Sequence, residues 1–367
     1  GKVMKRNKGI DVMRTVAIMA VLVYHFYVLT GGNRYADHPI IHNLINVGGE
    51  IGVTLFFIIS GYGIFLSIDR QMKKNKFSIK TYFEKRCVRI LPQYYLSLLI
   101  IIFIGPQTAV LGKDGVFGII THALLIHNFF PSTCGSISTV LWTMGVIFQF
   151  YLVSVVLYKL VKKNPVLTTI GSIVFTILCK IIIFHFVFAH IKTEASYYFI
   201  YGRQLFTALD NFVIGMFLAD YQEKLKIREP LRWCVFGMAS VCGIIWCIMP
   251  LAEYRHSDSI TGYVWSTGLA VLLGIITWFI SGFKCENDFW LMKIITFISK
   301  YQYGIYLWHS VVTANLLQGS EWIGRIANRS FLLLTVVMIV ICTLIGYIST
   351  ITLEAPDYSK LFKKEEM

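Results

Sequence analysis

Two basic side chains of different kinds stand in the first apolar run of the chain, Arg14 and His25, eleven positions apart. In a helix that spacing is close to three turns, so both project from nearly one face, about 16 Å apart along the axis. A fixed cation at one level and a titratable imidazole at another can hold an anionic group and move a proton. The same residues also suit a plainer use, an arginine snorkelling to a membrane interface and a histidine bonded between helices. A second pair, Arg86 and Arg89, lies in Lys85-Arg86-Cys87-Val88-Arg89. Residues three apart share one side of a helix, and two guanidinium forks there match a phosphate or pyrophosphate. The alternative is cytoplasmic topology charge. This pair is expected at the cytoplasmic end of the third membrane helix, with Pro92 kinking the chain just beyond it.

Other polar residues interrupt apolar sequence, and each is a site candidate because ionisable groups are costly in a bilayer. Ser60-Gly61-Tyr62-Gly63 allows close backbone approach, either to another helix or to a ligand. Glu50 opens the same run and is either an interfacial carboxylate or part of a site. Arg203 and Asp210, seven apart, suggest an ion pair on one helix face. Lys180 has no partner in its own run. His309, in Tyr303-Gly304-Ile305-Tyr306-Leu307-Trp308-His309-Ser310, is either a second site group or a bridging core histidine.

The elements that position these groups follow from composition. Of 367 residues, 56% are hydrophobic and 15% charged, with a mean hydropathy of +0.64. Soluble domains run about 45–50% apolar and about 25% charged. Disorder is excluded, and an all-α polytopic membrane protein is the expected class. A spanning helix needs roughly 20 apolar residues. Ten runs qualify, near 10–30, 48–68, 89–106, 138–160, 167–190, 198–219, 232–251, 260–281, 293–316 and 330–352. A shorter run at 116–130, carrying His122, His127 and Asn128, reads as a re-entrant or interfacial segment. The formal charge of +14 concentrates in alternate loops, such as Arg70 to Arg89, Lys159 to Lys163 and Lys224 to Arg232. That alternation places both termini in the cytoplasm and leaves no role for nucleic acid. The 8 cysteines form no CxxC pair and lie mostly in apolar runs, so neither a disulfide framework nor a metal centre is expected. The chain reads as one membrane-embedded domain over 1–367, with a basic tail at 1–9, a bundle at 10–352 and a cytoplasmic tail at 353–367, in the inner or plasma membrane.

Gly9-Ile10-Asp11-Val12-Met13-Arg14, with His25 following after ten residues, resembles the opening of the acyltransferase 3 family of polytopic membrane proteins. Further segments resemble that family in order: Leu55 to Tyr62 its FFxxSG stretch, Arg86 to Arg89 its RxxR motif, Tyr303 to His309 its YGIYLWH stretch, and Leu353-Glu354-Ala355-Pro356 its closing segment. Where many members read LWxLxxExxFY, this chain has Leu141 to Tyr151. Trp142, Gln149 and Tyr151 fit, but Ile147 and Phe148 stand at the acidic positions, and Thr54 replaces an aspartate found before the LFF stretch.

The resemblance implies an acyl-CoA donor, usually acetyl-CoA, on the cytoplasmic side and an extracytoplasmic glycan or small-molecule acceptor. His25 and Arg14 would be catalytic, with His25 a general base. Arg86, Arg89, Ser60, Gly61 and Tyr62 would hold the donor. Glu50, Trp142, Gln149, Tyr151, Tyr306 and His309 would lie on the acceptor side. No metal is called for. A transporter or flippase on the same scaffold, with Arg14, His25, Lys180 and Asp210 as its polar path, is the alternative.

Overall fold

A computed structural model of the chain describes residues 6–104, 115–187, 202–222, 224–225, 227–248, 254–257, 259–283 and 289–353. Among these residues the structure is helical and contains no strand. The helices are α1 (Lys8–Leu29), α2 (Pro39–Asn46), α3 (Gly48–Lys73), α4 (Ile79–Ile104), α5 (Gly115–Ala123), α6 (Trp142–Lys163), α7 (Pro165–Ile182), α8 (Leu209–Tyr221), α9 (Glu229–Ile248), α10 (Ile260–Ser281), α11 (Trp290–Gly319), α12 (Glu321–Arg329) and α13 (Phe331–Leu353). A π-helical turn, Ile183–Val187, extends α7, and a 3-10 turn, His127–Phe129, follows α5.

Eight of the described helices are long and apolar enough to cross a membrane: α1, α3, α4, α6, α7 with its extension, α9, α10 and α13. Two further runs expected to span appear as α8, 13 residues, and α11, 30 residues with Lys293 and Lys300 inside it. The run at 116–130 becomes the nine-residue α5 and a single 3-10 turn, too short to cross. Two boundaries correct the expected map. The third spanning helix begins at Ile79, not at 89, so Arg86 and Arg89 sit in its second and third turns rather than at its end. Helix α8 begins at Leu209, so Arg203 lies in the preceding loop and shares no helix face with Asp210.

Helix starts follow local chemistry. The Asn7 side chain accepts the Ile10 N–H at 3.1 Å to open α1. Asn164 does the same for Leu167 at 3.1 Å, with Pro165 at the first helical position of α7. The Ser259 hydroxyl accepts from Gly262 N at 3.2 Å to open α10. Each satisfies a backbone donor that the first turn leaves without an intrahelical partner.

Contacts group the chain into two compact units, residues 1–70 with 143–299, and 71–142 with 300–367. In the first unit one buried cluster joins Ile10, Met13 and Ala17 of α1, Leu55, Ile58, Ile59 and Tyr62 of α3, Ile214 and Leu218 of α8, and Ala270, Trp278 and Phe279 of α10. Helices α3 and α8 cross at paired glycines. A Cβ on Gly61 would strike the Phe212 carbonyl, and one on Gly215 the Ile58 carbonyl. Helix ends in this unit sort into two levels. Lys162, near the end of α6, bonds Asp69 near the end of α3 at 3.1 Å and Asp220 near the end of α8 at 3.3 Å. Asn7 Nδ2 donates to Ser281 O at 3.0 Å, tying the start of α1 to the end of α10. Glu50, opening α3, meets Arg255 and His256 ahead of α10, which marks the opposite level.

In the second unit, α13 packs against α4 and α12. A polar chain crosses its interior: Trp308 Nε1 donates to Ser349 Oγ at 2.7 Å, and Ser349 Oγ to Gln93 Oε1 at 3.0 Å. Gly304 of α11 lies against Gly346 of α13, with no room for a Cβ on either.

Candidate functional site

In the first unit the site residues hang on α1. Asp11, 1% exposed, takes Arg6 in a two-pronged pair, Nε to Oδ2 at 2.6 Å and Nη2 to Oδ1 at 2.9 Å. Ser299 Oγ donates to the same carboxylate at 2.7 Å. Arg14 Nη1 lies 3.7 Å from Asp11 Oδ1, one turn along the helix. The Arg14 cation is therefore fixed beside a buried counter-charge that α1 itself supplies. The sequence held the signal in the three-residue spacing of Asp11 and Arg14, which faces them on a helix.

Three turns further on, His25 Nδ1 lies 2.8 Å from the Val21 carbonyl oxygen. A carbonyl can only accept, so Nδ1 carries the hydrogen and, in the neutral ring, Nε2 carries the lone pair. The ring stands edge-on to Tyr24, centroids 5.0 Å apart at 74°. Arg203 comes within electrostatic range of both His25 and Tyr24. The residue expected to pair with Asp210 is thus a neighbour of the imidazole instead.

Asp210 has other company. Thr267 Oγ1 donates to its Oδ2 at 2.6 Å, and its own N–H donates to Thr176 Oγ1 at 3.3 Å. Lys180, 2% exposed, donates to Ser266 Oγ and feels the Asp210 charge. Lys180, which has no partner in its own run, and Asp210, expected to pair with Arg203, thus belong to one buried network across α7, α8 and α10.

At the level of Glu50, Arg255 Nε lies 2.9 Å and His256 Nε2 3.0 Å from Glu50 Oε1. Beside them is a polar cavity of about 280 Å³ lined by Tyr24, Val28, His42, Asn43, Asn46, Val47 and Arg255. Apart from Glu50, no residue of this cluster was singled out from sequence, because α2 is too short to announce itself. Of the expected donor-binding residues here, Gly61 turns its Cα to the α8 backbone. Tyr62 Oη donates to Gln222 Oε1, whose amide continues to Ser281 Oγ at 2.8 Å. Ser60 is half-buried. Gln149 and Tyr151 are both buried on α6; two positions apart, they lie on different faces.

In the second unit, Arg86 stacks over the buried Tyr82 ring, 5.2 Å from guanidinium carbon to centroid, while Arg89 is exposed. Trp142 is half-buried. The Tyr303 to His309 stretch is a hub. Tyr303 Oη donates to Ile90 O of α4 at 2.8 Å, Tyr306 Oη to Val140 O at 3.0 Å, and Trp308 to Ser349 of α13. His309, fully buried, directs Nδ1 to Tyr306 O at 2.5 Å, so its Nε2 bears the lone pair, as in His25. Outside the spanning helices, His122 and His127 stack at 3.9 Å, both fully buried. Burial lowers the His122 pKa to about 4 and that of His127 to about 3, the latter further depressed by its neighbour. The closing Leu353 to Pro356 segment extends past the described residues.

Helices of membrane length, with a buried cation–carboxylate pair at one end of α1 and a tautomer-fixed imidazole towards its other end, define a polytopic membrane protein. The chain belongs to the acyltransferase 3 family, whose model, described as an acyltransferase domain, matches residues 7–350. A Staphylococcus aureus protein carrying a provisional O-acetyltransferase name is 23% identical over 337 residues, 85% of this chain and 51% of that protein. The O-acetyltransferase OatA of Staphylococcus aureus is 20% identical over 321 residues, 82% of this chain and 49% of its own length. Acyltransferase MdmB of Streptomyces mycarofaciens is 27% identical over 161 residues, 42% of this chain and 40% of its own. The chain thus spans about half the length of the curated relatives it matches most fully. No solved structure matches it significantly.

Proposed function

We propose that the chain transfers an acyl group, acetyl in the first instance, from cytoplasmic acyl-CoA to a hydroxyl or amine of an extracytoplasmic acceptor. The acceptor is a cell-envelope glycan or its precursor, and both termini face the cytoplasm of a cell whose inner or plasma membrane holds the protein. The observation that carries this reading is the fixed tautomer of His25: Nδ1–H is committed to Val21 O, and Nε2 remains a base.

Nε2 takes the acceptor proton as the oxygen attacks the thioester carbonyl. The tetrahedral intermediate collapses, the carbon–sulfur bond breaks, and the imidazolium returns the proton to the departing thiolate as CoA leaves. Arg86 and Arg89 bind the donor's phosphates by charge-assisted bonds, and Arg14, steadied by Asp11, supports the donor along α1. Glu50, with Arg255 and His256, stands on the acceptor side, as do Trp142, Gln149, Tyr151, Tyr306 and His309. Family membership and relatives named O-acetyltransferases support the reaction class.

General-base catalysis contributes about 10²–10⁴-fold, so His25→Ala should lose that much acyl transfer with membrane insertion intact. Retained turnover would refute the base assignment. Arg86→Ala and Arg89→Ala should weaken acyl-CoA binding, and the wild-type affinity should fall with salt; unchanged binding would remove both from the donor site.

A further inference from the structure

The 280 Å³ cavity lined in part by Tyr24, the ring that His25 meets edge-on, falls below the range of about 300–1,000 Å³ usual for drug-sized ligand sites, and its walls are chemically particular. Two carboxamides, Asn43 and Asn46 of α2, line it together with Tyr24 of α1 and Arg255. Each amide commits one N–H to the protein. Asn43 Nδ2 donates to Ile248 O of α9 at 3.2 Å, and Asn46 Nδ2 lies 2.9 Å from His42 Nε2. His42 is braced in turn by Tyr27 Oη, 2.8 Å from its Nδ1. Each amide therefore keeps a second N–H and a carbonyl oxygen, one donor and one acceptor, in a fixed plane.

The charge is equally particular. Arg255 is the cation among the lining residues, and Glu50 Oε1 sits 2.9 Å from its Nε, with His256 on the same carboxylate and Arg203 within electrostatic range of Tyr24. An incoming anion that reaches Arg255 would meet the Glu50 carboxylate behind it, and like charges so placed repel. An alkyl chain would strand the amides without partners, which is costly. Neutral hydroxyls, which donate and accept at once, match both amides, and the Tyr24 ring offers an apolar face to the C–H side of a sugar. Tyr24 is also the residue against which His25 rests.

We infer that this cavity is the acceptor subsite and that it takes a single neutral sugar ring, with Asn43 and Asn46 reading two hydroxyls and the Glu50–Arg255 pair excluding anionic sugars. The inference rests on the acyltransferase reading for its purpose, but its test does not require turnover. Binding of neutral methyl hexosides (gluco, galacto, manno and N-acetylgluco) and of methyl glucuronide to the full chain in detergent is measured by saturation-transfer NMR without acyl-CoA. At least one neutral glycoside should bind saturably, and at least tenfold more tightly than the glucuronide. Asn46→Ala should weaken the neutral ligand about tenfold. Glu50→Gln, which uncovers the Arg255 charge, should raise affinity for the glucuronide at least tenfold. Equal or tighter glucuronide binding by the wild type, no saturable binding of any neutral glycoside, or unaltered affinities in both variants would overturn the assignment. The wild-type comparison stands even if a variant folds poorly. Acetyl-CoA turnover on the same sample is read separately: sugar binding without turnover would refute the reaction and leave the subsite.

Discussion

Asp11 offers the sharpest test of how α1 is built. It is 1% exposed and accepts two bonds from Arg6 and one from Ser299, with Arg14 at 3.7 Å. Removing one partner of a fully buried ion pair costs about 3–5 kcal/mol, because the other charge is left buried. Here the Arg6 side chain is 45% exposed and would regain water, so the upper part of that range does not apply. Charge-assisted bonds contribute about 1.5–3 kcal/mol each. Discounting both arginine bonds for solvent and keeping the Ser299 bond leaves roughly 2 kcal/mol for Asp11→Ala. In a chain longer than 250 residues that corresponds to about 4 °C or less in melting temperature. The assay is fluorescence-detected gel filtration of the detergent-solubilised protein after heating, applied to Arg6→Ala, Asp11→Ala and the double variant. The double variant should cost about as much as Asp11→Ala alone, since both remove the same bonds. Acyl transfer should fall further than stability does, because Arg14 loses its anchor. A melting temperature equal to wild type, or strictly additive losses, would show that the pair holds nothing in place.

Two further outcomes follow from buried charge. Lys180→Met and Asp210→Asn should each lower stability, because each leaves the other buried charge less compensated, and the double variant should recover part of that loss; heat-stability profiles of the three proteins decide it. The His122–His127 pair sets a pH dependence. Their folded pKa values, about 4 and about 3, lie below the unfolded value of about 6.5. Their contribution is therefore fully present above pH 6.5 and is lost as pH falls towards 4, where His122 alone removes about 3 kcal/mol. The protection factor of the peptide covering 115–141, which is the exchange rate corrected for the intrinsic pH dependence of amide exchange, should fall between pH 6.5 and 4 in the wild type and not in His122→Phe/His127→Phe; an equal fall in both would refute the reasoning.

How much of this was legible in the sequence depended on the range of the cause. Spanning helices follow from composition over some 20 residues, so α1, α3, α6, α10 and α13 appear within a few residues of their expected places, and 116–130 is a short segment as expected. The early start of α4 was hidden by Lys80, Lys85, Arg86 and Arg89, which look like a loop on a hydropathy scale but are good helix formers. Arg203 and Asp210 share no face because the helix starts only at Leu209, with the Asp210 N–H in its first turn bonded to Thr176. At Gly61 the close approach is to a helix, the backbone of α8 at Phe212. That fact belongs to tertiary packing and leaves no local trace. Asn43 and Asn46 were invisible for the same reason: their meaning comes from α1 and α9, not from α2.

The segments that carry the family likeness divide by what their polar atoms do. Asp11, Tyr303, Tyr306 and Trp308 each bond a partner on another element or on the chain ahead of α1. They fix distances between helices, and a bilayer, which adds no hydrophobic drive between helices, makes such bonds and close glycine crossings the available glue. The two histidines behave differently. His25 and His309 both turn Nδ1 inward to a carbonyl of their own helix, one turn back. That bond lies within one helix. It sets which nitrogen holds the lone pair, and holds that nitrogen in a constant direction, which is the property a base requires and a structural bridge does not. On this ground His309, in the second unit, is a group of the same chemical kind as His25, and replacing both should tell a shared proton path from two separate ones. If the histidines serve one path, the double variant His25→Ala/His309→Ala loses no more acyl transfer than His25→Ala alone; multiplied losses would mean independent roles.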